Sequence, residues 1–202
     1  MTALALSAPT GCDSGSDAKS SAPSGSSVIV PGRPGEVNRT LSAADAAEQR
    51  AEDDSPNSAD VAYARMMIRH HTQALEMTEL APQQAESSQV KRLAARVAAA
   101  QGPEIAAMRG WLKTHGKAEN ADDHDHEAMP GMATEAQLKK LRAAEGKAFD
   151  ELFLTLMITH HEGAITMATD VKAQGNNILV EEMADDVIAQ QTSEITRMRS
   201  LL

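Results

Sequence analysis

Shifted against itself by 90 residues, the chain repeats: Asp60–Leu112 aligns with Asp150–Leu202 without a gap, and 18 of the 53 paired positions are identical. The identities gather in two blocks. One is Met-Ile-x-His-His-x-x-Ala-x-x-Met, at Met67 to Met77 and again at Met157 to Met167; the other is Gln-x-x-Glu-Ile-x-x-Met-Arg, at Gln101 to Arg109 and Gln191 to Arg199. Each repeat reads as a helical hairpin with one block on each arm. Neither hairpin can bury its apolar face alone, so two of them predict an all-α four-helix bundle with approximate twofold symmetry. The residue set agrees. Aromatic residues make up 2% of the chain and hydrophobic ones 42%, so the core must be built from Ala, Leu, Val, Ile and Met, a helix-favouring mixture.

The spacing predicts a helix from Ser58, read as its cap, to about Leu80, with Pro82 ending it, and a second from about Ser88 to Lys113 with a kink at Pro103. Thr134 caps a short helix to Ala144. Gly146 breaks the chain before a longer helix from about Lys147 to Ala173, and Gly175 and Asn176 separate that from a last helix over Asn177 to Leu201. Domain organisation follows: a tail over residues 1–57, and a helical domain over 58–202 whose repeats are joined by an acidic His/Met linker at 115–134. The tail holds five of the eight prolines, no aromatic residue and runs of Ser and Gly, so it is expected to be a disordered linker, with a short helix from Ala43 to about Glu52 capped by Ser42.

Several functions are excluded early. The formal charge is −10, carried mainly by the tail and the linker, and no run of Lys or Arg forms a stripe that could neutralise phosphates, which disfavours nucleic acid. No apolar stretch approaches the roughly 20 residues of a membrane-spanning helix. The single cysteine, Cys12, rules out an internal disulfide framework and thiolate zinc clusters. Its setting resembles the end of a bacterial lipoprotein signal: a short apolar piece closing on Pro9-Thr10-Gly11-Cys12, then a polar spacer. That resemblance implies lipidation of Cys12, an extracytoplasmic location in the cell envelope or secreted, and membrane contact only through the lipid.

The candidate chemistry lies in the repeated block. At about 100° per residue, Met67, His70, His71, Ala74 and Met77 lie on or beside one inward face, and Met157, His160, His161, Ala164 and Met167 reproduce it. Adjacent histidines cannot aim both rings at one point. One of each pair is expected to face the bundle centre and the other a helix interface or groove. Imidazole with thioether suits soft or borderline metals, Met sulfur preferring Cu(I) and His accepting Cu(I), Cu(II) or Zn. The competing assignment is metal-free: methionines fill core gaps, and each histidine is a buried polar group bonded to Glu104 or Glu194. Four buried imidazoles need partners either way. The linker adds weaker candidates in Asp-His-Asp-His-Glu-Ala-Met-Pro-Gly-Met, where His124, His126, Met129 and Met132 can chelate from a flexible chain.

The twin motifs Met66-Met67-Ile68-Arg69-His70-His71 and Met157-Ile158-Thr159-His160-His161-Glu162-Gly163-Ala164, the Met-Pro-Gly-Met linker and the Glu-Ile-x-x-Met-Arg arms resemble the family called Domain of Unknown Function 305. The resemblance covers about Ser58 to Leu202. It implies a ferritin-like bundle in exported proteins, with copper binding or copper tolerance in some members, and carries over His70, His71, His160 and His161, then Met67, Met77, Met157 and Met167, as candidate ligands. A di-iron oxidase is the rival that such a fold invites. That chemistry uses Glu three residues before His, and here those positions are Met67, Ile68, Met157 and Ile158. No Ser-His-acid or Cys-His arrangement is legible, so no enzyme is expected. The expected function is copper binding for storage, buffering or delivery, with a metal ion and other copper-handling envelope proteins as partners. The alternative is a metal-free envelope interaction module with structural or pH-responsive histidines.

Overall fold

The computed structural model describes residues 27–31, 35–119 and 129–202. They divide into two units, one ending at Glu48 and the other beginning at Gln49. In the first, β1 (Ser27–Val30) pairs antiparallel with β2 (Arg39–Ser42), Val28 opposite Leu41 and Ile29 opposite Thr40. This short hairpin is one element that the linker expected over residues 1–57 did not include. A β-branched run, Val28-Ile29-Val30, is enough to form a strand, and averaging composition over 57 residues concealed it. Helix α1 (Ala43–Asp53) follows as expected, with the Ser42 hydroxyl accepting from the Asp45 amide at 3.1 Å. Cys12 and its signal-like surroundings lie outside the described residues.

The second unit is an all-α bundle of two helical hairpins. Helices α2 (Ser58–Gln84) and α3 (Ser88–Thr114) form one, and α5 (Gly146–Gln174) and α6 (Ile178–Arg199) form the other. The short α4 (Glu135–Ala143) stands between them, started by a Thr134–Gln137 capping box and pinned by buried Leu138 and Leu141. Helices α2 and α5 run antiparallel: Ala85 meets Gly146 at one end, and the Asn57 side chain donates to the Gln174 carbonyl at the other. Two predicted boundaries shift. Asn57, not Ser58, caps α2, because its side chain accepts from the Ala59 and Asp60 amides while Asp60 reaches back to the Asn57 amide. Helix α2 also runs two residues past Pro82.

The core has two apolar clusters. One gathers Tyr63, Met67, Ile105, Trp111, Met167 and Val180; the other gathers Met77, Val90, Leu138, Phe149, Phe153 and Met157. Along α2 the chain passes from the first to the second, and along α5 from the second to the first. In both helices the His-His pair stands between them, so the four imidazoles form a polar layer across the middle of the bundle.

A pair of aspartates ties the hairpins together. Asp60, almost wholly buried, accepts from the Asn176 and Asn177 amides of the α5–α6 turn at 3.1 and 3.2 Å. Its counterpart Asp150 accepts from the Ser87 amide of the α2–α3 turn at 2.8 Å. Each repeat thus caps the turn of the other. Asp60→Ala takes the acceptor from the amides of Asn57, Asn176 and Asn177, the last of them buried, and a buried group left without its partner costs about 1–3 kcal/mol. The expected result is a loss of about 3 kcal/mol in urea unfolding, larger than for Asp150→Ala; equal, small losses would show water replacing both carboxylates.

Candidate metal centre

The central rings belong to His70 on α2 and His160 on α5. Both side chains are fully buried, and their centroids are 3.7 Å apart with the planes tilted by 37°. His70 Nε2 donates to the Pro130 carbonyl at 3.0 Å. Among the described residues, His160 has no partner in hydrogen-bonding geometry at either ring nitrogen, and His70 has none at Nδ1. Burial pushes the His70 imidazole down to about 4, against the upward pull of the Pro130 carbonyl. Burial, then the positive charge that His70 or His161 would carry, holds His160 well below the usual imidazole range. Both rings are therefore neutral at pH 7, the form in which imidazole binds a metal.

The second histidine of each pair turns outward, as the wheel requires. His71 Nε2 donates to Glu104 Oε2 on α3 at 2.7 Å, and His161 Nε2 donates to Glu194 Oε2 on α6 at 2.8 Å. The Nδ1 atoms of both rings are buried and without a partner. So the structure brings His70 and His160 together and seats His71 and His161 at the hairpin interfaces beside them; the His160 and His161 centroids are 6.3 Å apart. Met67 and Met167 flank this layer from one apolar cluster, Met77 and Met157 from the other.

The described end of the linker packs against the centre. Met129–Met132 forms a turn, with the Met132 amide donating to the Met129 carbonyl at 3.3 Å and Gly131 at φ 77°. The turn lies against α5 where Gly163 leaves the helix backbone bare: a Cβ there would run into the Pro130 carbonyl, and one on Gly131 would strike the Thr159 carbonyl. On the α2 side Gln73, the repeat counterpart of Gly163, holds both polar groups of Ala133, at 2.7 Å to its amide and 3.0 Å to its carbonyl. Two different residues at equivalent positions thus clamp one segment over a symmetric centre. Met129 and Met132 are half-buried, and a cleft beside the turn is lined by Met66, Met129 and Met167. His124 and His126 lie outside the described residues. Sequence reasoning gave Gly163 and Gln73 no role; a glycine standing opposite a glutamine inside the repeated block was the available signal.

Among the described residues no three His, Cys, Asp or Glu side chains converge into a metal cluster. A metal here would draw on imidazole and thioether, and the unpartnered ring nitrogens of His70 and His160 beside buried methionines fit a soft ion. Fold and centre together define a duplicated helical-hairpin bundle with a buried histidine layer between methionine-containing cores. Residues 60–202 match the family model described as Domain of unknown function (DUF305), and the chain belongs to that family. A DUF305 protein from Streptomyces coelicolor, provisionally described as secreted, is 34% identical with a TM-score of 0.67, over 72% of this chain and 92% of that one. CopM in its Cu(I)-bound form is 30% identical with a TM-score of 0.59, over 70% of this chain and 93% of CopM. Its Cu(II)-bound form gives 32% and 0.61 over the same shares. Silver-bound and metal-free forms of CopM also match. No curated protein sequence matches the chain.

Proposed function

We propose that this protein binds copper, preferentially as Cu(I), outside the cytoplasm, and serves to store, buffer or deliver the ion rather than to catalyse a reaction. The observation that carries this reading is the His70–His160 pair: two neutral, fully buried rings in contact, three of whose four nitrogens lack a hydrogen-bond partner. Burying such groups unpaired is costly, and a soft ion would use those lone pairs. The copper-bound structures of CopM support the same reading. Under it His70, His71, His160 and His161 are the ligand candidates with Met67, Met77, Met157 and Met167, and His124, His126, Met129 and Met132 form a weaker capture segment. The Met66–Met129–Met167 cleft gives that segment a thioether-lined floor.

A competition titration with a chromogenic Cu(I) chelator tests the proposal. Wild-type protein should withdraw copper from the chelator in stoichiometric amounts, and His124→Ala/His126→Ala should lose only the weaker equivalents. No withdrawal by wild type would favour the metal-free interaction module, for which the His71–Glu104 and His161–Glu194 bonds are the supporting observation. Cys12 belongs to the same proposal as a lipid attachment site. Metabolic labelling with a fatty acid in a bacterial host, from a gene carrying a complete signal, should mark wild type and not Cys12→Ser; equal labelling of the two would remove the anchor.

A further inference from the structure

The two outer histidines have a feature that copper binding does not by itself require. Each faces a glutamate 33 residues further along the chain, the same separation in both repeats, and each uses Nε2 to do so. A carboxylate only accepts, so Nε2 must carry the hydrogen. No acceptor faces Nδ1 in either ring, and both Nδ1 atoms are buried. A hydrogen on Nδ1 would be a stranded buried N–H, whereas a hydrogen on Nε2 alone leaves a bare lone pair there. The Pro130 carbonyl imposes the same choice on His70. Among the described residues neither ring nitrogen of His160 has a partner in hydrogen-bonding geometry.

The contacts of the glutamates fit a fixed role. Glu194 is 5% exposed and its second oxygen stands 4.0 Å from the Arg96 guanidinium; Glu104 is 22% exposed at the edge of a cleft between α3 and α6. A carboxylate bonded to the far nitrogen of a histidine orients the ring and makes the other nitrogen a better donor to a metal.

We infer that Glu104 and Glu194 are positioning residues that lock His71 and His161 as Nε2–H tautomers and thereby make Nδ1 the metal-binding nitrogen of both rings. This rests on the copper reading above and specifies the atom through which it operates. Long-range proton–nitrogen correlation spectra of the full-length, metal-free, ¹⁵N-labelled protein at pH 7 provide the first test. His71 and His161 should carry a hydrogen on Nε2 and none on Nδ1, and added Ag(I), a redox-stable substitute for Cu(I), should move the Nδ1 signals of His71 and His161.

Glu104→Ala/Glu194→Ala should release the tautomers and weaken Ag(I) binding by about 10- to 100-fold. Glu104→Gln/Glu194→Gln should restore both, since an amide oxygen still accepts from Nε2. Nδ1–H tautomers or doubly protonated rings at His71 and His161 would overturn the inference, even where the alanine variant fails to fold. Ag(I) binding that perturbs Nε2, or leaves both Nδ1 signals in place, would overturn the inference and leave the copper reading standing. No Ag(I) or Cu(I) binding by wild type would remove both.

Discussion

Replacing His70, His71, His160 and His161 together with alanine is expected to abolish the tight component of Cu(I) binding, lowering affinity by at least about 100-fold. Loss of one outer partner of a ligand already costs about 10- to 100-fold, and this variant removes the candidate ligands themselves. What remains is thioether sulfur in two separate clusters and the linker segment. The four rings also fill space in a fully buried layer, so the alanine variant is to be read with its circular dichroism melt. A second variant avoids that difficulty. Met67→Leu/Met167→Leu nearly conserves volume, a change that usually costs under about 1.5 kcal/mol, and should weaken Cu(I) binding while leaving the melt nearly unchanged. Tight binding preserved in a folded fourfold variant would remove the twin histidines as ligands and pass the role to the methionines or the linker.

The metal-free protein is expected to lose stability as the pH falls from about 6.5 towards 5. His70 stays neutral in the fold until about 4, against an ordinary imidazole value of 6.5, and His160 is held down in the same direction. Below about 6.5 the unfolded chain therefore binds protons that the folded chain refuses, so stability is full above that pH and falls with acidification until the folded pKa is reached. For His70 alone the loss by pH 5 is about 2 kcal/mol, at about 1.36 kcal/mol per unit. Urea unfolding at pH 7, 6 and 5 measures it, and His70→Asn/His160→Asn should flatten the slope. Equal stability at pH 7 and 5 in wild type would mean that the central rings are solvated or already charged in the fold.

Much of the bundle was legible because its determinants are periodic and local. Caps at Ser87, Thr134 and Asn177 and the stop at Gly175 sit within a residue or so of the predicted ends. The misplaced cap at Asn57 shows the limit: Ser58 is an equally good cap by type, and only the reciprocal bond with Asp60 selects its neighbour. The wheel also required the two histidines of a pair to point apart, since rings about 100° apart on one helix cannot share a direction, but it did not say which one faces the centre. Asp60 and Asp150 were visible as a repeated pair, yet their partners lie in the opposite hairpin, 116 and 63 residues away. No local pattern encodes a bond at that separation.

The sequence by itself determined the duplicated hairpins, the inward faces and the position of the histidines midway along them, because repetition and helical period are properties of the chain alone. It also supplied the donor types, imidazole and thioether, that limit which ions suit the centre. Only the tertiary structure decided which nitrogens are committed and which are bare. That depends on contacts between segments distant in the chain: the Pro130 carbonyl on His70, Glu104 and Glu194 on the outer rings, and the bare backbone of Gly163 that lets the linker approach. The same packing neutralises His70 and His160, since desolvation is set by what surrounds a ring and not by its neighbours in sequence.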